Sequence, residues 1–330
     1  MAYLTVGVDH DRTPVELCYE DYGHGRPVVL LHDWPLSRHM WAAQVPALVE
    51  AGYRVVAYDR RGFGDSSRPW DGYGYDGLVT DLRAVLERLK LSEVTLVGAG
   101  MGAAEIVRYL TRYGTAGVRR VVLVGAALPY LYRSYDNPRG PWAPERFDRL
   151  KAGLTVDRFA MLDAYATRMF RASERVLLSD PHRDHYRAQG AAASPRALDA
   201  GLTTMARSDL RGEVAIPLPT LVIHGEHDDI IPFAVTGERI GDSAVEVIQG
   251  APHGCQATHP CVSTAPCSGS WRTAGERGLT GALVAPPPGR RQVRSLTSPR
   301  SAVLALSSSP CRTRRRTAAA GTDGRRHRSR

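Results

Sequence analysis

The sequence predicts an α/β fold, with a mostly parallel sheet covered by helices on both faces and a helical insertion. Three observations predict it. Short apolar runs alternate with helical patterns over residues 1–128 and return over 211–260, the rhythm of β-α-β units. The segment between them, 129–210, is helical in pattern throughout. Third, "LVGAGMG" (96–102) joins an apolar run to a helix through glycines at 98 and 102. That is a sharp strand-to-helix turn of the G-x-S-x-G type.

The elements follow in order. "VELCYEDYG" alternates like a half-buried strand, and "GRPVVLLHD" is a short apolar strand ended by polar residues. "HMWAAQVPALVEAG" reads as a helix stopped at Gly52, and "YRVVAYDRRG" is the next strand. "YDGLVTDLRAVLERLKL" places Leu78, Leu82, Val85, Leu86 and Leu89 at helical spacing. "EVTLVG" and "RRVVLVGAA" are strands either side of a helix over 101–113. "IPLPTLVIHGEHD" and "SAVEVIQGAPHG" supply the last two strands. The insertion spaces Tyr130, Tyr132, Trp142, Phe147, Phe159, Met161, Tyr165, Met169 and Phe170 along its length. They fit a small core of its own, a lid over an apolar pocket, or both on different faces.

Composition bounds the function classes. At 43% hydrophobic and 23% charged the chain is globular in make-up. It has no apolar run of about 18 residues and no basic start leading into an apolar block, so a cytoplasmic protein without membrane association is expected. The net charge of +9 is unevenly spread. From Cys255 onward the chain carries fourteen arginines, two acids and no lysine, which leaves the body mildly acidic. Of five cysteines only Cys18 lies within the body, so no disulfide framework is expected. The late cysteines lack the paired spacing of a zinc site, and neither a metal nor a cofactor is expected.

Four stretches converge on one centre: "VVLLHDWPLS", "LVGAGMG", "HGEHDDIIPF" and "GAPHG". Each follows a strand, and ligands on parallel sheets bind at those ends. With "YDRRGFGDSSRP", "AAEIVRYLTRYG" and "DNPRGP" they span most of residues 15–260. In this the chain resembles the α/β-hydrolase family, and within it the arylesterases and cofactor-free haloperoxidases or perhydrolases. The resemblance implies the α/β-hydrolase fold with a helical cap inserted after the sixth strand. The domains are then a core in two parts (1–128 and 211–260), a cap (129–210) and a disordered basic tail (261–330). By position it implies that Asp228 is the triad acid, His253 the base, and the backbone amides of Trp34 and Met101 the oxyanion hole. Glu226 and Asp229 are the neighbouring acids. Asp59 and Arg60 read as residues that fix their loop by hydrogen bonds. Trp34 either lines an acyl pocket or packs on the loop.

The nucleophile position holds Gly100, which has no side chain, and Asp33 stands where this family's loop usually has glycine. A serine hydroxyl attacks while histidine takes its proton and aspartate orients the histidine. Without that hydroxyl the family's action on small apolar ester or acyl ligands is expected to be weak or absent. A carboxylate at position 33 opposes negative charge in the oxyanion hole if it points inward. A non-catalytic ligand-binding protein is the alternative reading. Oligomeric state has no signature in the sequence.

Beyond Pro260 the chain contains no Lys, Asn, Ile, Phe, Tyr or Met and no helical or strand period. A segment so poor in apolar residues cannot offset its ordering entropy. Reading across codon boundaries from Pro266 to Trp271 gives residues of L-L-x-F-L character, the pattern with which the family closes. The stretch therefore also reads as out-of-frame sequence, and the chain as a decayed gene product. A basic tail contacting nucleic acid through phosphates is the competing reading, but it has no aromatic interleaving beyond Trp271. Limited trypsin digestion is expected to remove the residues beyond Pro260 first and leave a protected body; a tail that resists trypsin overturns the disorder reading.

Overall fold

A computed structural model describes residues 1–259 apart from 237–239 and 242. The tail over 261–330, its disorder and its frame lie outside the described residues. The architecture is the α/β-hydrolase fold. Eight strands form one sheet in the order β1-β2-β4-β3-β5-β6-β9-β10. They are β1 (Ala2–Val8), β2 (Pro14–Tyr22), β3 (Pro27–Leu31), β4 (Arg54–Tyr58), β5 (Val94–Ala99), β6 (Val118–Val124), β9 (Thr220–Gly225) and β10 (Ala244–Ile248). A short hairpin, β7 (Arg171–Ala172) with β8 (Arg175–Val176), stands apart.

Only β1 and β2 run antiparallel to their neighbours; from β4 to β10 every pairing is parallel. The reason is visible in composition. Val28–Leu31, Val55–Tyr58 and Val94–Ala99 are buried at every position, as central parallel strands between two helical layers require. The strand β1 has no counterpart in the sequence reading. Its pattern is largely exposed, so it lacks the apolar run that marks the others.

The principal helices are α1 (Gln44–Glu50), α2 (Tyr75–Arg88), α3 (Met101–Tyr113), α4 (Pro144–Val156), α5 (Arg158–Met169), α6 (Asp180–Ala192) and α7 (Pro195–Arg207), with a single turn, α8 (Cys255–Thr258). The single helix expected over "HMWAAQVPALVEAG" is split into a 3-10 turn at Arg38–Trp41 and α1. Pro46 lacks an N–H and is tolerated only in a first turn, so the regular helix begins two residues before it. Helices α4 to α7 form the cap inserted after β6. Its residues Trp142, Phe147, Tyr165, Met169 and Phe170 are buried, whereas Phe159 lies on the outer surface. No described helix is long and apolar enough to cross a membrane.

Register brings the site loops together. Leu31 pairs with Gly98, Ala99 with Val124, Val124 with Ile223, and Gly225 with Ile248. These five strands, β3, β5, β6, β9 and β10, therefore end near one level, and the loops that leave them meet at one edge. Beneath that edge lies a buried charge network. Arg60 donates from Nε to Glu105 Oε2 (2.5 Å) and from a guanidinium NH2 to the His32 carbonyl. The Tyr58 hydroxyl donates to Glu105 Oε1 (2.9 Å), and the Arg60 amide donates to His32 Nε2 (3.0 Å). This ties the loop after β3 to the loop after β4 and to α3. Breaking one partner of a buried pair leaves the other charge uncompensated. Glu105→Gln is therefore expected to cost about 3–5 kcal/mol in urea unfolding; a loss within about 0.5 kcal/mol, typical of a surface change, contradicts that weight.

Candidate active site

The turn after β5 adopts a conformation that glycine permits. Gly100 sits at φ 48°, ψ −111°, a conformation that is costly for residues with a Cβ and open to glycine. The flanking glycines are there for space. A Cβ on Gly98 would lie 2.4 Å from the Gly102 carbonyl oxygen, and one on Gly102 2.5 Å from that of Leu31. The sharp turn thus packs α3 directly onto β3 and aims position 100 at the loop after β3.

What position 100 meets there is Asp33. A Cβ built on Gly100 would fall 1.8 Å from Asp33 Oδ1 and 2.1 Å from its Cγ. The Asp33 carboxylate therefore occupies the space that a side chain at position 100 needs. Its Oδ1 accepts from the backbone amides of Trp34 (2.7 Å) and Met101 (2.8 Å), the two amides that the family resemblance gives to an oxyanion hole. The Met101 amide opens α3, where an anion is favoured by the unpaired N–H groups and the helix dipole. The inward orientation of Asp33, conditional in the sequence, is realised.

The second oxygen, Oδ2, lies 3.0 Å from His253 Nε2. On its other side His253 Nδ1 is 2.7 Å from Asp228 Oδ2. Asp228 Oδ1 accepts from the amides of Ile230 (3.0 Å) and Ile231 (2.8 Å). His224 Nε2 lies 3.1 Å from Oδ2 of the same residue. One imidazole is thus held between two buried carboxylates. Burial favours the neutral ring, but Asp228 and then Asp33 oppose it, and the His253 pKa is pushed up to about 10. Burial likewise resists ionisation of Asp228, yet His253 and His224 outweigh it and hold the carboxyl well below its usual range. Flanking carboxyl groups thus favour the protonated ring, and a general base must lack that proton.

Loop anchors come from the cap. Trp34 is fully buried, donates from Nε1 to the Leu198 carbonyl (3.0 Å) and meets the Tyr165 ring edge-on at 4.9 Å. It packs the loop against α5 and α7. Trp142 Nε1 donates to the Ile230 carbonyl (2.8 Å), and the Gly254 amide to the Met169 carbonyl (2.8 Å). The cap therefore fixes the acid loop and the histidine loop as well.

Sequence reasoning brought Trp34, Gly100, Met101, Asp228 and His253 to one place, and the structure places them together. The neighbouring acids separate from it: Asp229 faces Arg168 and Arg171 of the cap, and Glu226 is half exposed and accepts from the Gly250 amide. Asp59 accepts from the amides of Arg38 (2.7 Å) and Asp65 (2.9 Å), so it and Arg60 hold loops. His224 and Glu105 went unread. His224 stands four residues before Asp228 in "HGEHD", and that spacing was its only signal. Among the described residues, Cys18, Asp59 and Asp65 bring possible metal-ligand atoms within 4.8 Å of one another. The Arg38 guanidinium already pairs with both carboxylates there.

The chain belongs to the α/β-hydrolase family, whose model matches residues 26–260. Its relatives there are haloperoxidases, esterases and perhydrolases. It is 38% identical to a non-heme chloroperoxidase of Kitasatospora aureofaciens, over 74% of this chain and 90% of that protein. It is 31% identical to a bifunctional esterase/perhydrolase of Acinetobacter calcoaceticus, over 78% and 95%. Among solved structures, a bromoperoxidase from Bacillus anthracis superposes with a TM-score of 0.76 at 44% identity, covering 78% of this chain and 95% of that one.

The charge arrangement has a pH signature. A histidine pKa raised from 6.5 to about 10 in the folded state contributes stability that is complete below pH 6.5 and lost as pH rises through about 10. Asp228, depressed from 3.8, contributes stability that is present above pH 3.8 and lost on acidification. Imidazole nitrogen NMR is expected to show His253 protonated well into the alkaline range. Asp33→Ala removes one flanking carboxylate and is expected to lower that midpoint while leaving it above 6.5. An unchanged midpoint in this variant means that Asp33 does not face the ring.

Proposed function

We propose that this chain is a small-ester or acyl hydrolase scaffold in which serine-type turnover is reduced to a residual level. His253 and Asp228 take the parts of base and acid, the amides of Trp34 and Met101 form the anion cradle, and Gly100 stands at the nucleophile position without an attacking atom. One observation carries the reading: the Asp33 carboxylate fills both the cradle and the space of a side chain at 100. An ester carbonyl seeking the two amides meets a carboxylate already there. Removing the nucleophile of a serine protease of unrelated fold costs about 10⁶ in kcat, and a filled oxyanion hole adds to the loss.

The geometry alters what repair requires. Gly100→Ser alone puts a side chain into space that Asp33 holds, so it is expected to leave 4-nitrophenyl acetate hydrolysis near the parent's rate. Gly100→Ser with Asp33→Gly is expected to raise kcat by about 10³ or more and to make the protein react with serine-directed phosphonates. A parent chain with fast turnover that His253→Ala abolishes contradicts the reading. So does a folded double variant with no gain.

A further inference from the structure

The cap gathers more positive charge at one place than it pairs. On α4, Arg149 and Leu150 follow Arg146 by three and four residues; on α5, Tyr165 and Arg168 follow Met161 by four and seven. Those spacings put each set on one face of its helix. The two faces, with Arg171 of β7, line a pocket of about 300 Å³. Asp229 is the ion-pair partner of two of these arginines, 3.7 Å from Arg168 Nε and 3.4 Å from Arg171 Nη2. Arg146 and Arg149 pair with no carboxylate among the described residues.

The same walls hold buried donors with nothing to bind. Tyr165 is nearly fully buried, and its hydroxyl has no hydrogen-bond partner among the described residues. Nor has the Nε of Arg168 or of Arg171. A buried donor left without an acceptor is costly. Arg146 lies over the Trp142 ring at 5.0 Å. Burial first, and then the Arg168 charge, lower its pKa to about 10. Each of these groups gains from an acceptor that carries negative charge. We propose that this pocket of the cap binds a small phosphate monoester, its oxygens on the guanidinium groups and its organic part against Leu150 and Met161.

Charge decides the class of ligand. Four arginines against the single carboxylate of Asp229 leave three positive charges unmatched. A carboxylate ligand supplies one negative charge and two acceptor oxygens. A phosphate monoester supplies up to two charges and three oxygens, and guanidinium forks take phosphate oxygens in pairs. The apolar side of the pocket, Leu150 with Met161 and Ala164, has no use for inorganic phosphate alone. The pocket is separate from the Asp33 centre but adjoins the acid loop. Arg168 donates to the Asp229 carbonyl (3.1 Å), and Trp142, beneath Arg146, donates to that of Ile230. A ligand held there joins α4 to α5 and braces the cap that fixes this loop.

The test is independent of any ester assay. Phenyl phosphate is titrated into the full chain by calorimetry in phosphate-free buffer, beside inorganic phosphate and benzoate. Saturable binding is expected, tighter for phenyl phosphate than for either control, with a melting temperature that rises with its concentration. Arg149→Ala removes an exposed, unpaired guanidinium and is expected to weaken binding about tenfold while the free protein melts as the parent does. Tyr165→Phe removes the orphaned hydroxyl alone and is expected to weaken it as well. Arg88→Ala, in α2 and outside the pocket, is expected to leave it unchanged. The arginines beyond Pro260 offer phosphate another place to bind, and the variants separate the two. Equal affinity in the parent, Arg149→Ala and Arg146→Gln overturns the proposal, as does the absence of saturable binding. Benzoate binding as tightly as phenyl phosphate overturns the assignment to phosphate. Inorganic phosphate binding as tightly overturns the assignment to a monoester.

Discussion

The Asp33 carboxylate governs the centre. It accepts two amides on one oxygen, faces the His253 ring with the other, and excludes a side chain from the turn opposite. Buried charge is tolerated only when paired and hydrogen-bonded. Here the pairing is closed by Asp228 on the far side of His253 and by the amides that hold each carboxylate. The two amides that the family resemblance gives to an oxyanion hole are instead taken by the protein's own side chain.

Such an arrangement requires loops fixed to fractions of an ångström, and the sheet and cap supply that. The level ends of β3, β5, β6, β9 and β10 bring the loops together, and α3 begins at the point where the anion sits. The charged layer of His32, Arg60, Glu105 and Tyr58 lies under the loop after β3, and Trp34 and Trp142 bind that loop and the acid loop to the cap. Small residues are placed where backbones touch. Gly225, for one, could not carry a Cβ, which would lie 2.1 Å from the Pro252 carbonyl oxygen.

The central strands were legible because burial on both faces writes itself as unbroken apolar runs, as in Val28–Leu31. The elbow was legible because only glycines permit that close turn, and His253 because a Gly- and Pro-bounded loop after a final strand is distinctive. Asp228 was separable from Asp229 by its place in "HGEHDDIIP", and the geometry separates them in the same sense. What escaped was orientation. Nothing in "HDWP" says whether Asp33 points to solvent or inward; that depends on the space left by Gly100, 67 positions along the chain. The exposed strand β1 and the interior pair of Arg60 with Glu105 escaped for related reasons, since neither has an apolar period or a local partner to mark it.

The central claim is that positions 33 and 100 share one space, and a stability cycle tests it without reference to any reaction. Gly100→Ala is introduced into the parent chain and into Asp33→Gly, and urea unfolding is measured for all four proteins. Both backgrounds carry the same backbone strain at position 100, so strain cancels in the comparison. Only the parent also forces a Cβ into the Asp33 carboxylate. The account predicts that Gly100→Ala costs markedly more in the parent, with a coupling of about 1–3 kcal/mol. Equal costs in the two backgrounds would contradict it.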